Sequence, residues 1–165
     1  IIEKMVEQLD ICIAIHKRVL VVRFDLHLKE YSDNNEVVST FMTRQKQRIK
    51  RTYKTKDIGH VWVRELEKAK AQHYHCALYI DGDVIQHPGK LLQQIKVKWF
   101  KNGHTHLLDN CFYYIEKNNL EDERKEVIKR LSYLAKTRGK GYRNSQAKDY
   151  STSRLKLNIK SNNNQ

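Results

Sequence analysis

His73-Tyr74-His75-Cys76-Ala77-Leu78-Tyr79-Ile80-Asp81 is an apolar run that opens on a histidine pair and closes on the turn Asp81-Gly82-Asp83. Its length, its bulky apolar content and that turn predict a β-strand over 73–81. In a strand, residues i and i+2 point to the same face. The two imidazoles therefore leave one face together, and Tyr74, Cys76, Leu78 and Ile80 make the other a core face.

Working back along the chain, 68–72 reads as a loop and 60–67 as the partner strand of an antiparallel hairpin, entered after Gly59. With the loop centred near Lys70, Glu67 pairs with His73 and Glu65 with His75. Trp62 and Leu66 share the core parity, while Val61, Val63, Glu65 and Glu67 share the parity of the histidines. Residues 19–28 alternate in the same way. Leu20, Val22, Phe24, Leu26 and Leu28 form one face, and Val19, Val21, Arg23, Asp25 and His27 form the other.

Helical spacing is predicted over 2–16, over the segment from Val38 to Tyr53, over 89–101 and over 121–137. Residues 111–115 form a short fourth strand, in which one of Tyr113 and Tyr114 belongs to the core. The second histidine pair, His104-Thr105-His106, follows the polar Asn102-Gly103 and reads as loop. Beyond Gly139 the chain is basic and irregular, and 161–165 is a polar tail. After a leading helix the order is β-α-β-β-α-β. The expected fold is α+β, with a ferredoxin-like (split βαβ, RRM-like) antiparallel sheet. Two helices cover one face, and the other is free for a ligand. An N-terminal helix and a C-terminal helix bearing Tyr133 complete a single domain over 1–160.

Bulk properties narrow the function. The 165 residues suffice for one domain with a core. Lys and Arg number 32 against 19 acidic residues, and the resulting +13 favours a polyanionic partner. No apolar run approaches the roughly 20 residues of a membrane span, which excludes a membrane partner of that kind. Cys12, Cys76 and Cys111 are scattered and form no CxxC pair, so a reducing, cytoplasmic setting is expected and a structural zinc site is not. The chain starts at Ile1, as a piece of a longer protein would.

Two constellations carry chemistry. Two neutral imidazoles and a carboxylate, His73, His75 and Glu65 (or Glu67), make a mixed nitrogen and oxygen site. Such a site suits Mn²⁺ or Mg²⁺ with positions open to phosphate oxygens, and Zn²⁺ accepts the same ligands. On the 121–137 helix, Val127, Ile128, Leu131, Leu134 and Ala135 form the apolar stripe, and Tyr133 lies roughly opposite it. Lys136 follows at i+3, adjacent on the helix surface. Basic residues at 44–56 and 138–160 can track a phosphate backbone.

Together these residues resemble the HUH endonucleases, especially the replication initiators of rolling-circle elements. His73-Tyr74-His75 matches the family's His-hydrophobe-His strand, and Tyr133-Leu134-Ala135-Lys136 its Tyr-x-x-Lys helix. Val21 to Leu28 matches the leading apolar strand loosely, with Asp25 and His27 where many relatives carry threonine. Glu65 has the spacing of the acidic third ligand. The context from Arg64 to Tyr79 is similar to inovirus replication proteins and the related YagK/YfjJ C-terminal domains. The resemblance spans roughly 19–155.

The resemblance implies metal-dependent nicking and joining of single-stranded DNA or a hairpin origin in a bacterial host cell. Tyr133 is the implied nucleophile, with Tyr142 as a possible second tyrosine, and Lys136 its electrostatic helper. Arg23, Asp25, His27, Arg44, Arg48, Arg51, Arg138, Lys140 and Arg143 are the expected DNA contacts. No GxxxxGK[ST] motif is present in the sequence, so any helicase comes from the host or another protein. A transposase or relaxase with the same chemistry, or a non-catalytic single-strand binder, fits the same residues.

Overall fold

The structure, a computed structural model, describes residues 1–65, 71–135 and 148–158. Its centre is β1 (Arg18–Leu28), whose alternation lets it bury both faces. It pairs antiparallel with β3 (His73–Asp81), from Val19 opposite Asp81 to His27 opposite His73. On the far side of β3 lies β2 (Gly59–Glu65), also antiparallel. β1 and β2 are thus parallel to each other with β3 between them, and α2 (Glu36–Tyr53) makes the crossover. This is the split βαβ arrangement expected from the element order.

After α3 (Gly89–Trp99) the fourth strand comes in two pieces on one edge of β1. β4 (Gly103–His106) pairs with the stretch from Asp25 to Leu28, and β5 (Phe112–Glu116) with that from Arg18 to Val22. Residues 107–111 loop out between them, and the Arg23 amide donates to the Cys111 carbonyl at 2.6 Å. His104-Thr105-His106 is therefore strand, not the loop expected. Its polar composition gives little local strand preference; the unpaired backbone groups on the edge of β1 supply the order. Gly103 permits the approach, since a Cβ there would overlap the His27 carbonyl.

At the opposite edge β6 (Tyr150–Thr152) pairs with β2, inside the stretch expected to be irregular. Tyr113 and Tyr114 are each partly buried, Tyr114 packed against one core and Tyr113 against the other, where one of the two is expected in the core.

α2 and α3 bury Val38, Phe41, Met42, Ile49, Leu91, Leu92, Ile95 and Trp99 against the even-numbered side chains of β1 and β3. The other face is not free, as had been expected. α1 (Ile2–Ile15) lays Met5, Leu9 and Cys12 on it, and α4 (Leu120–Ser132) lays Val127 and Leu131 there. They cover Val19, Val21, Val61, Val63, Ala77 and Tyr79. The physical reason lies in those strand positions. They are apolar over half the sheet and must be removed from water, and they turn polar only at the end that carries Asp25, His27, Glu65, His73 and His75. Arg124 joins the two covering helices through a two-pronged ion pair to Asp10 at 2.7 and 2.8 Å. No helix among the described residues is long and apolar enough to cross a membrane.

The α-helix expected over 121–137 stops at Ser132, and Tyr133–Ala135 continues as a 3-10 turn. The expected tail, 161–165, lies outside the described residues.

Candidate metal centre

Strand pairing assembles the centre. Glu65 lies opposite His73, and Val63 opposite His75. The expected register was two residues out, which placed Glu65 opposite His75. A two-residue slip preserves parity, so Glu65, His73 and His75 still share one face. Each offers a ligand atom within 4.8 Å of the other two. His75 Nε2 is 2.7 Å from Glu65 Oε2, and His73 Nε2 is 3.6 Å from the same oxygen. The three side chains are 15 to 19% exposed, sheltered but reachable. Glu67, the alternative ligand, lies outside the described residues.

Asp25 completes the arrangement from β1. Its Oδ1 accepts from His75 Nδ1 at 2.9 Å, so one imidazole bridges two carboxylates. Burial works to lower the His75 pKa, but the hydrogen bonds and charges of Asp25 and then Glu65 outweigh it and hold the pKa above the ordinary value. Burial pushes the Asp25 carboxyl up; the His75 hydrogen bond and charge, with help from Arg23 and His73, bring it below the usual range. Two carboxylates around one ring are a surplus of negative charge in a strongly basic chain. A proton on His75 offsets it, and a divalent cation at Nε2 would offset it better. The donor set therefore fits a metal ion, with Asp25 fixing the ring that ligates. Asp25, one of the expected DNA contacts, is 7% exposed and bound to His75.

A second row of imidazoles adjoins the first. His27 stacks on His73 at 4.7 Å between ring centroids and on His104 at 4.4 Å. Burial, then the neighbouring His73 and His104, lower the His27 pKa to about 4. The column crosses β3, β1 and β4. Its last member was missed because His104 falls in a segment with no strand signal of its own. The one available clue was the repeated His-x-His spacing.

The end of the sheet is held by a polar network on the other face. Arg64 donates to the Ser32 carbonyl at 3.0 Å, Gln72 Nε2 donates to the same oxygen at 2.8 Å, and the Tyr74 hydroxyl donates to Asn35 Oδ1 at 3.0 Å. These bonds tie the β1–α2 turn to the hairpin that carries the ligands.

Tyr133 stands at the end of α4, 47% exposed, while its neighbours Leu131 and Leu134 are buried in the core beneath. Arg23, another expected DNA contact, is only 8% exposed and donates from Nη1 to the Arg130 carbonyl at 3.4 Å. It braces the helix end and does not face solvent, because α4 covers that stretch of β1. Arg44 and Arg51 are exposed on α2 and Arg48 is half-buried. α2 packs on the face opposite the histidines, so these three do not line the metal centre. Lys136, Arg138, Lys140, Tyr142 and Arg143 lie outside the described residues.

Comparison with known proteins places the chain beside bacterial relatives. The YagK/YfjJ C-terminal domain family matches residues 1–150. A curated protein of Escherichia coli K12, "Uncharacterized protein YagK", is 23% identical over 164 aligned residues, covering 76% of this chain and 78% of its own. No solved structure matches significantly.

Proposed function

The chain belongs to the YagK/YfjJ C-terminal domain family, and we propose that it is a divalent-cation-dependent HUH-type endonuclease. It nicks and rejoins single-stranded DNA, or the exposed strand of a hairpin, through a 5′-phosphotyrosine, and so starts rolling-circle replication of a phage or related mobile element. The observation that carries this reading is the convergence of His73, His75 and Glu65 within 4.8 Å at a partly exposed end of the sheet.

His73, His75 and Glu65 would hold Mn²⁺ or Mg²⁺, which supplies polarisation of the scissile phosphate and offsets charge developing at phosphorus. Asp25 keeps the Nδ1 proton of His75, so that Nε2 presents its lone pair once deprotonated. The Tyr133 hydroxyl gives up its proton to solvent, from which the leaving oxygen is reprotonated, and attacks phosphorus. The Oη–P bond forms, the P–O3′ bond breaks, and the departing oxygen takes up a proton as a free 3′-OH. The downstream strand stays on Tyr133. Attack by a 3′-OH on that linkage reverses the step without ATP, because the phosphodiester energy is conserved. Lys136, by the resemblance of Tyr133-Leu134-Ala135-Lys136 to the Tyr-x-x-Lys motif, would steady the phosphate.

The test is an adduct assay with Mn²⁺ and a labelled pool of single-stranded DNA drawn from the element that encodes the protein. An SDS-stable adduct should form, vanish with EDTA and be absent in Tyr133→Phe. An adduct that survives the Tyr133→Phe change, or that ignores EDTA, would overturn the assignment.

A further inference from the structure

A groove of about 610 Å³ runs between α2 and α3, on the face of the protein away from the metal centre. Among its described lining residues are four cations, Arg44, Arg48, Lys98 and Lys101, against one carboxylate, Glu36. Its outer wall is apolar and wet: Phe100 is 73% exposed and Val97 60%. An exposed phenyl ring costs solvation and packs no core, and Lys29 Nζ reaches over it at 5.6 Å. A flat aromatic face ringed by cations suits a nucleotide, whose base stacks and whose phosphate is neutralised.

The chain itself runs from the groove round the sheet edge toward the candidate metal centre. Asn102 lines it and receives the Lys29 amide at 3.0 Å. Two residues further on, His104 stacks on His27 beside the ligands. Two residues of extended chain span at most about 7 Å. A nucleic-acid strand that rounds the edge of β4 would meet both. Duplex DNA hides its base faces in the stack and cannot offer one to Phe100.

We propose that this groove is a second nucleic-acid subsite, holding a single-stranded nucleotide that flanks the cleavage point. The base lies on Phe100, and the phosphate lies among Arg44, Arg48, Lys98 and Lys101. Its place beside the cleavage point rests on the nuclease reading; the subsite itself does not.

The two are separated by measuring binding without metal. A fluorescent mixed-sequence single-stranded oligonucleotide is titrated in EDTA against the wild type, Phe100→Leu and the double variant Arg44→Ser with Lys98→Ser. Circular dichroism verifies that each is folded. Phe100→Leu should weaken binding about 5- to 150-fold, the range for loss of one stacked base. The double variant should lower the salt slope by about 1.4, from two lost phosphate contacts. Wild-type affinity in Phe100→Leu, equal or greater losses on duplex DNA, or no binding by the wild type would each overturn the subsite. Impaired groove variants alongside a wild type that never forms an adduct would keep the subsite and remove the nuclease reading. An adduct-forming wild type with unimpaired groove variants would do the reverse.

Discussion

Arg23 Nη1 donates to the carbonyl of Arg130 at 3.4 Å, which ties the strand holding Asp25 to the last turn before Tyr133. Arg23 is 8% exposed, and its Nε finds no hydrogen-bond partner among the described residues. Such a group is costly to bury, and its Nη1 bond to the Arg130 carbonyl is the link between sheet and helix end.

That link predicts a positioning role. Arg23→Met keeps much of the side-chain volume and removes the bond. Adduct formation should slow by about 10²-fold, the cost of displacing a reacting group by about an ångström, while DNA affinity holds. Single-turnover kinetics beside a binding isotherm separates the two. Equal losses in both would show that Arg23 acts on DNA binding instead.

The bridge from Asp25 to His75 predicts the cation affinity. Asp25→Asn preserves shape and removes the charge that orients the ring, so Mn²⁺ should bind about 10- to 100-fold more weakly. The proton and the cation compete for His75 Nε2. Because the His75 pKa is raised, protonation begins above the ordinary histidine value of about 6.5, and Mn²⁺ affinity should fall as pH drops through that region. Calorimetric titrations at several pH values give both results. A pH-independent affinity would remove His75 from the ligand set.

His60 predicts the acid side of the stability curve. It is buried facing α2, its Nδ1 has no hydrogen-bond partner among the described residues, and burial with some help from Lys46 lowers its pKa to about 3. The unfolded histidine protonates near 6.5. Between those values the unfolded chain binds a proton that the folded chain refuses, so stability falls as pH drops from about 6.5 toward 3. The slope from one such group is at most about 1.4 kcal/mol per pH unit. His27, lowered to about 4, acts in the same direction. Urea unfolding of metal-free protein at pH 7.5 and 5 should show the loss, and His60→Gln should reduce it. An unchanged loss in His60→Gln would assign it elsewhere.

Gly103 predicts the cost of the unexpected strand. A Cβ there overlaps the His27 carbonyl, so Gly103→Ala must push β4 away from β1. The expected loss is about 1–3 kcal/mol, with the His27 and His104 ring resonances shifting as their stack opens. Wild-type stability and spectra in the alanine variant would contradict the close approach.

What the sequence itself determined follows from local periodicity. The period-two alternation in 19–28 and 73–81 fixed which side chains share a face, and parity survived a register error of two residues. Helical spacing identified α1, α2, α3 and α4, and it set Tyr133 apart from its helix's apolar stripe. These signals are local, because side-chain direction depends on backbone geometry alone.

Only the tertiary structure decided the rest. Whether Val19, Val61 and Ala77 face water or a helix depends on where α1 and α4 dock, and those contacts join residues far apart in sequence. The strand at His104-Thr105-His106 exists because β1 offers an unpaired edge, which nothing in those three residues encodes. Asp25 and Arg23 read as surface groups by parity, yet one holds His75 and the other braces α4. Alternation tells which way a side chain points; only packing tells what meets it there.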